Sequence, residues 1–109
     1  MEAALKAIGA ARRREILTLV RADELSAGEI ASHFDVTRPA VSQHLTVLKA
    51  AGLVRERRDG TRRLFSVQSA GLAELHDFLA QVLPASLDRL KQAAEEEQRR
   101  ADAGDASRN

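Results

Sequence analysis

The sequence has no cysteine, no tryptophan and no tyrosine, and only three phenylalanines and two prolines. Without thiols there is no disulfide, no thiolate metal site and no cysteine nucleophile. A cysteine-free chain suits a reducing compartment, so a cytoplasmic location is expected. No apolar run reaches the ~20 residues that a membrane-spanning helix needs. The first ten residues do not read as a secretory signal, because Glu2 and Lys6 interrupt them and no apolar stretch follows. There is no Gly-rich phosphate loop, no HExxH and no nucleophile elbow, and the many carboxylates sit on solvated faces; the chain is not read as an enzyme.

With aromatics at 3%, the 44% hydrophobic content is mostly Ala, Leu and Val. That composition favours helices packed through Leu and Ala ridges over a β-sandwich. A length of 109 residues suits one domain, with no room for a separate catalytic one. Its core is modest, and dimerisation is a natural way to enlarge it. The net charge of +1 is uninformative by itself, but its distribution is not. Residues 91–109 carry a net −1, whereas the nine residues 55–63 hold five arginines against Glu56 and Asp59, a net +3. A local cationic patch of this kind binds polyanions, or else keeps a hairpin solvated.

Helical spacing begins at once. Residues 2–9 read as a short apolar helix with Leu5 and Ile8 one turn apart, ended by Gly9. Residues 10–22 read as a second helix with Ile16, Leu17 and Val20 on one stripe; Arg12, Arg13, Glu15 and Arg21 lie off it, and the Arg12–Arg14 run is a helix surface with partial phosphate contact. Ser26 and Glu29 have the spacing of a capping box, so a third helix starts there and runs to about Phe34. Thr37 is a second N-cap candidate, two residues before Pro39, and the helix it opens carries Val41, Leu45 and Leu48 at i, i+4 and i+7. Gly52 stops that helix as a C′ residue.

The period then drops to two. Residues 53–58 and 61–67 flank Asp59-Gly60, a hairpin signal. A two-residue loop there opposes Arg58 to Thr61, Arg57 to Arg62, Glu56 to Arg63 and Val54 to Phe65, with the arginines toward the tip. From Ser69 a long helix follows, with Leu72, Leu75, Phe78, Leu79, Val82, Leu83, Leu87 and Leu90 as its apolar row. Pro84 lies inside that row and must kink or split the helix. Beyond Gln98 the chain is small and polar, so 1–98 is read as the folded domain and 99–109 as a disordered tail.

Two short helices joined by a tight turn, followed by a basic-tipped hairpin, make a winged helix-turn-helix: a mainly α fold with a small β-hairpin. The second helix of the pair must enter the major groove of double-stranded DNA. Its apolar residues bury, while Arg38, Ser42, Gln43 and Thr46 point elsewhere. Gln suits adenine, Arg suits guanine or a phosphate, and the helix N-terminus at Thr37 favours a phosphate. Arg57, Arg58, Arg62 and Arg63 of the hairpin are placed to straddle the backbone or probe the minor groove. His44 has two readings, a DNA contact or a half-buried histidine that orients the helix. His33 and His76 are read as surface or interface residues.

The stretch from Leu25 to Val67, LSAGEIASHFDVTRPAVSQHLTVLKAAGLVRERRDGTRRLFSV, resembles the arsenic-repressor (ArsR) type of winged-helix regulators, as does the upstream ARRREILTLV. The resemblance spans about residues 1–90. It implies a cytosolic homodimer that represses by covering a pseudo-palindromic operator, with first and last helices at the interface. Leu5, Ile8, Leu75, Phe78, Leu79 and Val82 are the expected interface residues. The metal-sensing members' cysteine pair is missing here, where the corresponding helix reads AGEIASHF. Of their alternative Asp/His site, Asp77 and His76 are present but no second histidine follows. No metal or other cofactor is therefore expected, and the sequence is closer to the metal-free, autorepressor-containing branch. An effector is unknown. A protein-interaction module on the same fold is the rival reading; the Arg38, Ser42 and Gln43 face opposes it, since protein interfaces favour Tyr, Trp and Leu.

Overall fold

The computed structural model describes residues 1–107. The elements run α1 (Glu2–Ala7), α2 (Ala11–Ala22), α3 (Ala27–Ser32), α4 (Arg38–Ala50), β1 (Val54–Asp59), β2 (Arg62–Val67), α5 (Ser69–Val82) and α6 (Ala85–Ser107). The fold is mainly helical with one two-stranded antiparallel hairpin, as expected. Met1–Asp77 forms one unit, and a second begins at Phe78, inside α5.

Local chemistry sets the helix ends. Ser26 accepts from the Glu29 N–H at 3.2 Å, and Glu29 accepts from the Ser26 N–H at 3.0 Å, so the capping box is complete. Thr37 Oγ1 accepts from the Ala40 N–H, with Pro39 in the first turn of α4. At the other end of α4, the Gly52 N–H donates to Lys49 O and the Leu53 N–H to Leu48 O, while Gly52 has φ +77°. This is a Schellman stop, and it turns the chain into β1. Two arginines of the α2 run, Arg13 and Arg14, reach back to the end of α1. Arg13 donates to the carbonyls of Ala7 (2.6 Å) and Lys6 (3.3 Å), and Arg14 donates to Ile8 O (2.7 Å). These cations add donors to carbonyls at the C-terminal end of α1, where the helix dipole favours positive charge. Arg12 lies over the Phe34 ring at 4.6 Å.

One core unites the first unit. Ile16 and Val20 of α2, Ile30 of α3, Val41, Leu45 and Leu48 of α4, Leu53, and Leu75 of α5 are all buried. Each such side chain contributes about 1.5–3 kcal/mol by leaving water. The α4 stripe is the one its sequence spacing predicts. Leu75, expected at the dimer interface, is buried in this core of its own chain.

The hairpin register differs from the expected one. Asp59 pairs with Arg62, Arg58 with Arg63, Arg57 with Leu64, Glu56 with Phe65 and Val54 with Val67. The loop is thus Gly60-Thr61, not Asp59-Gly60. An Asp-Gly loop of type I′ needs positive φ at both residues. Here only Gly60 has it, at +65°, which is the pattern of a type II′ turn with Gly in first place. Each partner moves by two positions, so every side chain keeps its expected face. Leu25 adds a single bridge to Phe65, which ties the hairpin to the start of α3.

Pro84 splits the expected long helix into α5 and α6. α6 continues through residues 99–107, part of the stretch 99–109 expected to be a disordered tail; residues 108 and 109 lie outside the described ones. Pairs one turn apart support the helix there, Arg100 with Glu96 at 3.2 Å and Gln98 with Asp102 at 3.1 Å.

Candidate nucleic-acid interface

Burial of Val41, Leu45 and Leu48 turns the opposite side of α4 to solvent. Arg38, Ser42, Gln43, Thr46 and Lys49 are exposed there. The Leu25–Phe65 bridge and the core hold the hairpin beside this face. Between them runs an open groove. Arg38, Ser42, Thr46 and Lys49 of α4 line one side, Glu56, Thr61, Arg62, Arg63 and Phe65 of the hairpin line the other, and Ser26 and Ala27 close the end.

Of the sequence-predicted residues, Arg38, Ser42, Thr46, Arg62 and Arg63 come together in this groove. Thr37, Gln43 and Arg58 are exposed outside its lining. The Thr46 hydroxyl already donates to Ser42 O at 2.9 Å, so it presents its methyl group and acceptor lone pairs. His44 is half-buried and beside Arg13 and Arg12. Burial first, then these two cations, hold its pKa below the ordinary 6.5.

Arg57 lies outside the groove lining. Its Nε donates to both carboxylate oxygens of Glu24, at 3.2 and 3.0 Å, and its Nη2 also reaches Glu24. This bidentate pair lowers the pKa of Glu24 and raises that of Arg57. Arg57 thus pins the wing to the chain just ahead of α3. Arg62 likewise donates to Glu29, whose same Oε1 accepts from the Ser26 N–H. Glu56 stands between Lys49 Nζ at 2.9 Å and Arg63 Nε at 3.5 Å. Lys49, first, and Arg63 keep its carboxyl below the usual range.

Sequence reasoning passed over Lys49, Glu24, Glu29 and Glu56 as parts of this surface. Lys49 was within reach, because it follows Ser42 by seven and Thr46 by three and so shares their helix face. Glu29 was read only as a capping residue. No local signal marks Glu24.

Of the expected interface residues, Leu5 and Ile8 are half-buried against the core of the first unit. In the second unit Phe78 is half-buried, while Leu79 and Val82 are 41% and 58% exposed. Leu83, Leu87 and Leu90 continue this exposed apolar row. His76 and Asp77 are exposed neighbours, with Nδ1 and Oδ1 3.5 Å apart. Among the described residues, no three His, Asp or Glu side chains gather as a metal cage, and no helix is long and apolar enough to cross a membrane.

Comparison with known proteins agrees with this architecture. Residues 11–56 match the family model "Bacterial regulatory protein, arsR family". The HTH-type transcriptional regulator Rv2034 of Mycobacterium tuberculosis is 46% identical over 72 residues, covering 66% of this chain and 67% of that protein. The transcriptional repressor SdpR of Bacillus subtilis is 35% identical over 74 residues, covering 68% of this chain and 82% of that protein. Among solved structures, a possible transcriptional regulator for arsenical resistance superimposes with a TM-score of 0.70 at 36% identity, covering 83% of this chain and 94% of that one. A homodimeric winged helix-turn-helix DNA-binding domain from Mycobacterium bovis does so with a TM-score of 0.63 at 31% identity, covering 74% and 75%. These relatives are regulators rather than enzymes. By fold and by sequence, the chain belongs to the ArsR family of bacterial regulatory proteins.

Proposed function

We propose that this chain is a homodimeric, metal-independent transcriptional repressor that binds a pseudo-palindromic operator in the cytoplasm. The observation that carries the reading is the single groove in which α4 and the wing present Arg38, Ser42, Thr46, Arg62 and Arg63 together. α4 enters the major groove. Ser42 and Gln43 read base edges, with Gln43 suited to adenine, and Arg38 takes guanine or a phosphate. Arg58, Arg62 and Arg63 serve the backbone. Two copies place their recognition helices about one DNA turn, ~34 Å, apart.

The exposed row of Leu79, Val82 and Leu83 supports dimerisation, as does the homodimeric relative. Repression follows the repressor among the relatives. The lack of cysteine supports metal independence.

Fluorescence anisotropy on duplexes drawn from the gene's own upstream region and on mixed-sequence duplexes, across a salt series with and without chelator, tests this. Selective binding that weakens steeply with salt and ignores chelator is expected. Binding that is absent at every salt, or equal on all sequences, removes the operator-binding reading and favours a protein partner.

A further inference from the structure

Three of the cations that should meet DNA are already paired in this structure. Arg62 is held by Glu29, and Arg63 and Lys49 share Glu56. Arg62, Arg63, Lys49 and Glu56 all line the groove. Glu29 sits one turn into α3, next to the groove-lining Ser26 and Ala27. Two carboxylates therefore neutralise part of the patch in which a phosphate backbone would lie.

We propose that Glu29 and Glu56 are internal stand-ins for DNA phosphates that set the affinity of the groove. The proposal rests on the groove being the DNA-binding face. In the free protein the carboxylates occupy Arg62, Arg63 and Lys49. On binding, phosphates take their places, and each displaced carboxylate remains a few ångströms away as a repelling like charge.

Two effects then compete. The carboxylates order the cations, which helps binding; they also occupy and neutralise them, which opposes it. The ordering effect is small, since exposed ion pairs hold long side chains weakly. Arg62 is 55% exposed, Arg63 61% and Lys49 56%, so their heads are solvated in either state. The neutralising effect acts at full strength, because affinity for a phosphate backbone follows the number of cations free to displace its counterions. Neutralisation wins. Both carboxyls are held below the ordinary 4.5, Glu29 chiefly by Ser26 and Glu56 chiefly by Lys49, so both carry charge at neutral pH. Such a brake acts on every sequence alike, so it holds down nonspecific binding while leaving base readout to α4.

Glu29→Gln and Glu56→Gln test this. Gln is an accepted third-position partner in a capping box, so Glu29→Gln removes the charge and keeps the cap. Glu74→Gln makes the same charge change on α5, outside the groove lining. Binding to a mixed-sequence duplex is followed by anisotropy over a salt series. Each groove variant should bind about two- to fivefold tighter at low salt, the size of an exposed ion pair. Its log–log salt slope should steepen by up to about one, near the value for one more phosphate neutralised. Glu74→Gln should match the parent. Weaker binding by the groove variants would mean that the carboxylates position the cations, and equal gains in all three would mean a net-charge effect; either overturns the proposal. A parent chain that binds no duplex at any salt fails the DNA-binding reading itself, and the proposal with it. A parent that binds while the groove variants stay unchanged fails the proposal alone.

Discussion

Gly71 in the first turn of α5 lies directly against the carbonyl group of Gly52, the glycine that stops α4. A side-chain carbon built on Gly71 would fall on that oxygen. α5 thus docks onto the turn that ends the recognition helix, and only a residue without Cβ permits this approach. Gly71→Ala should cost about 1–3 kcal/mol through the forced backbone shift. At Gly28, by contrast, a Cβ meets only Ser26 Oγ at 4.0 Å. Gly28→Ala should therefore be neutral or stabilise by up to about 1 kcal/mol. Urea unfolding of the two variants checks the contrast.

His44 makes stability depend on pH. In the unfolded chain it takes a proton near 6.5, while in the folded chain burial and then Arg13 and Arg12 resist that proton. Its contribution is complete above pH 6.5 and is lost as the pH falls through the lower folded value. Glu24, Glu29 and Glu56, all below their ordinary 4.5, add a second decline in the same direction at more acidic pH. Thermal melts should fall from neutral toward pH 5, and His44→Gln should flatten that first part of the curve only.

The arginines of the wing should not behave alike. Arg58 makes no ion pair among the described residues, whereas Arg57 is held by Glu24. Arg58→Ala should weaken binding to every duplex and reduce the salt slope by about 0.9. Arg57→Ala should leave the slope near the parent value and mainly loosen the wing. Equal slopes for Arg58→Ala and the parent would remove Arg58 from the interface.

Base reading is expected of Gln43. Gln43→Ala should lower the preference for the best duplex over a mixed one by about 1–3 kcal/mol, with little change in salt slope. A uniform loss on all duplexes would remove that role.

Dimerisation is expected to need the exposed row at the end of α5. Leu79→Glu with Val82→Glu should convert the dimer to a monomer in sedimentation velocity while the first unit stays folded by circular dichroism. A parent chain that sediments as a monomer at every concentration would refute the dimer. Leu75→Ala should act differently, lowering stability by about 2–5 kcal/mol, because Leu75 fills its own chain's core.

The helix-turn-helix was legible in the sequence because its signals are local. The Ser26–Glu29 box, the Thr37 cap, the i, i+4, i+7 stripe of α4 and the Gly52 stop each act within one or two turns, so neighbouring residues alone decide them. The exposed groove face of α4 followed as the complement of its buried stripe. The helix through residues 99–107 was equally local. Its small polar composition conceals it, although pairs one turn apart such as Arg100 with Glu96 support it.

Tertiary structure decided what joins distant residues. Arg57 meets Glu24, and Arg62 meets Glu29, across a separation of 33 residues in each case. Nothing in either segment marks such a partner, since a carboxylate takes whichever cation the fold delivers. The hairpin register also lay beyond the sequence, because Asp59-Gly60 and Gly60-Thr61 are both competent two-residue loops and a shift of two leaves every side chain on its face. The sequence by itself determined where the helices start and stop and which face of α4 is free. Only the fold decided which arginines remain available on that face, because charge is counted after distant partners have met.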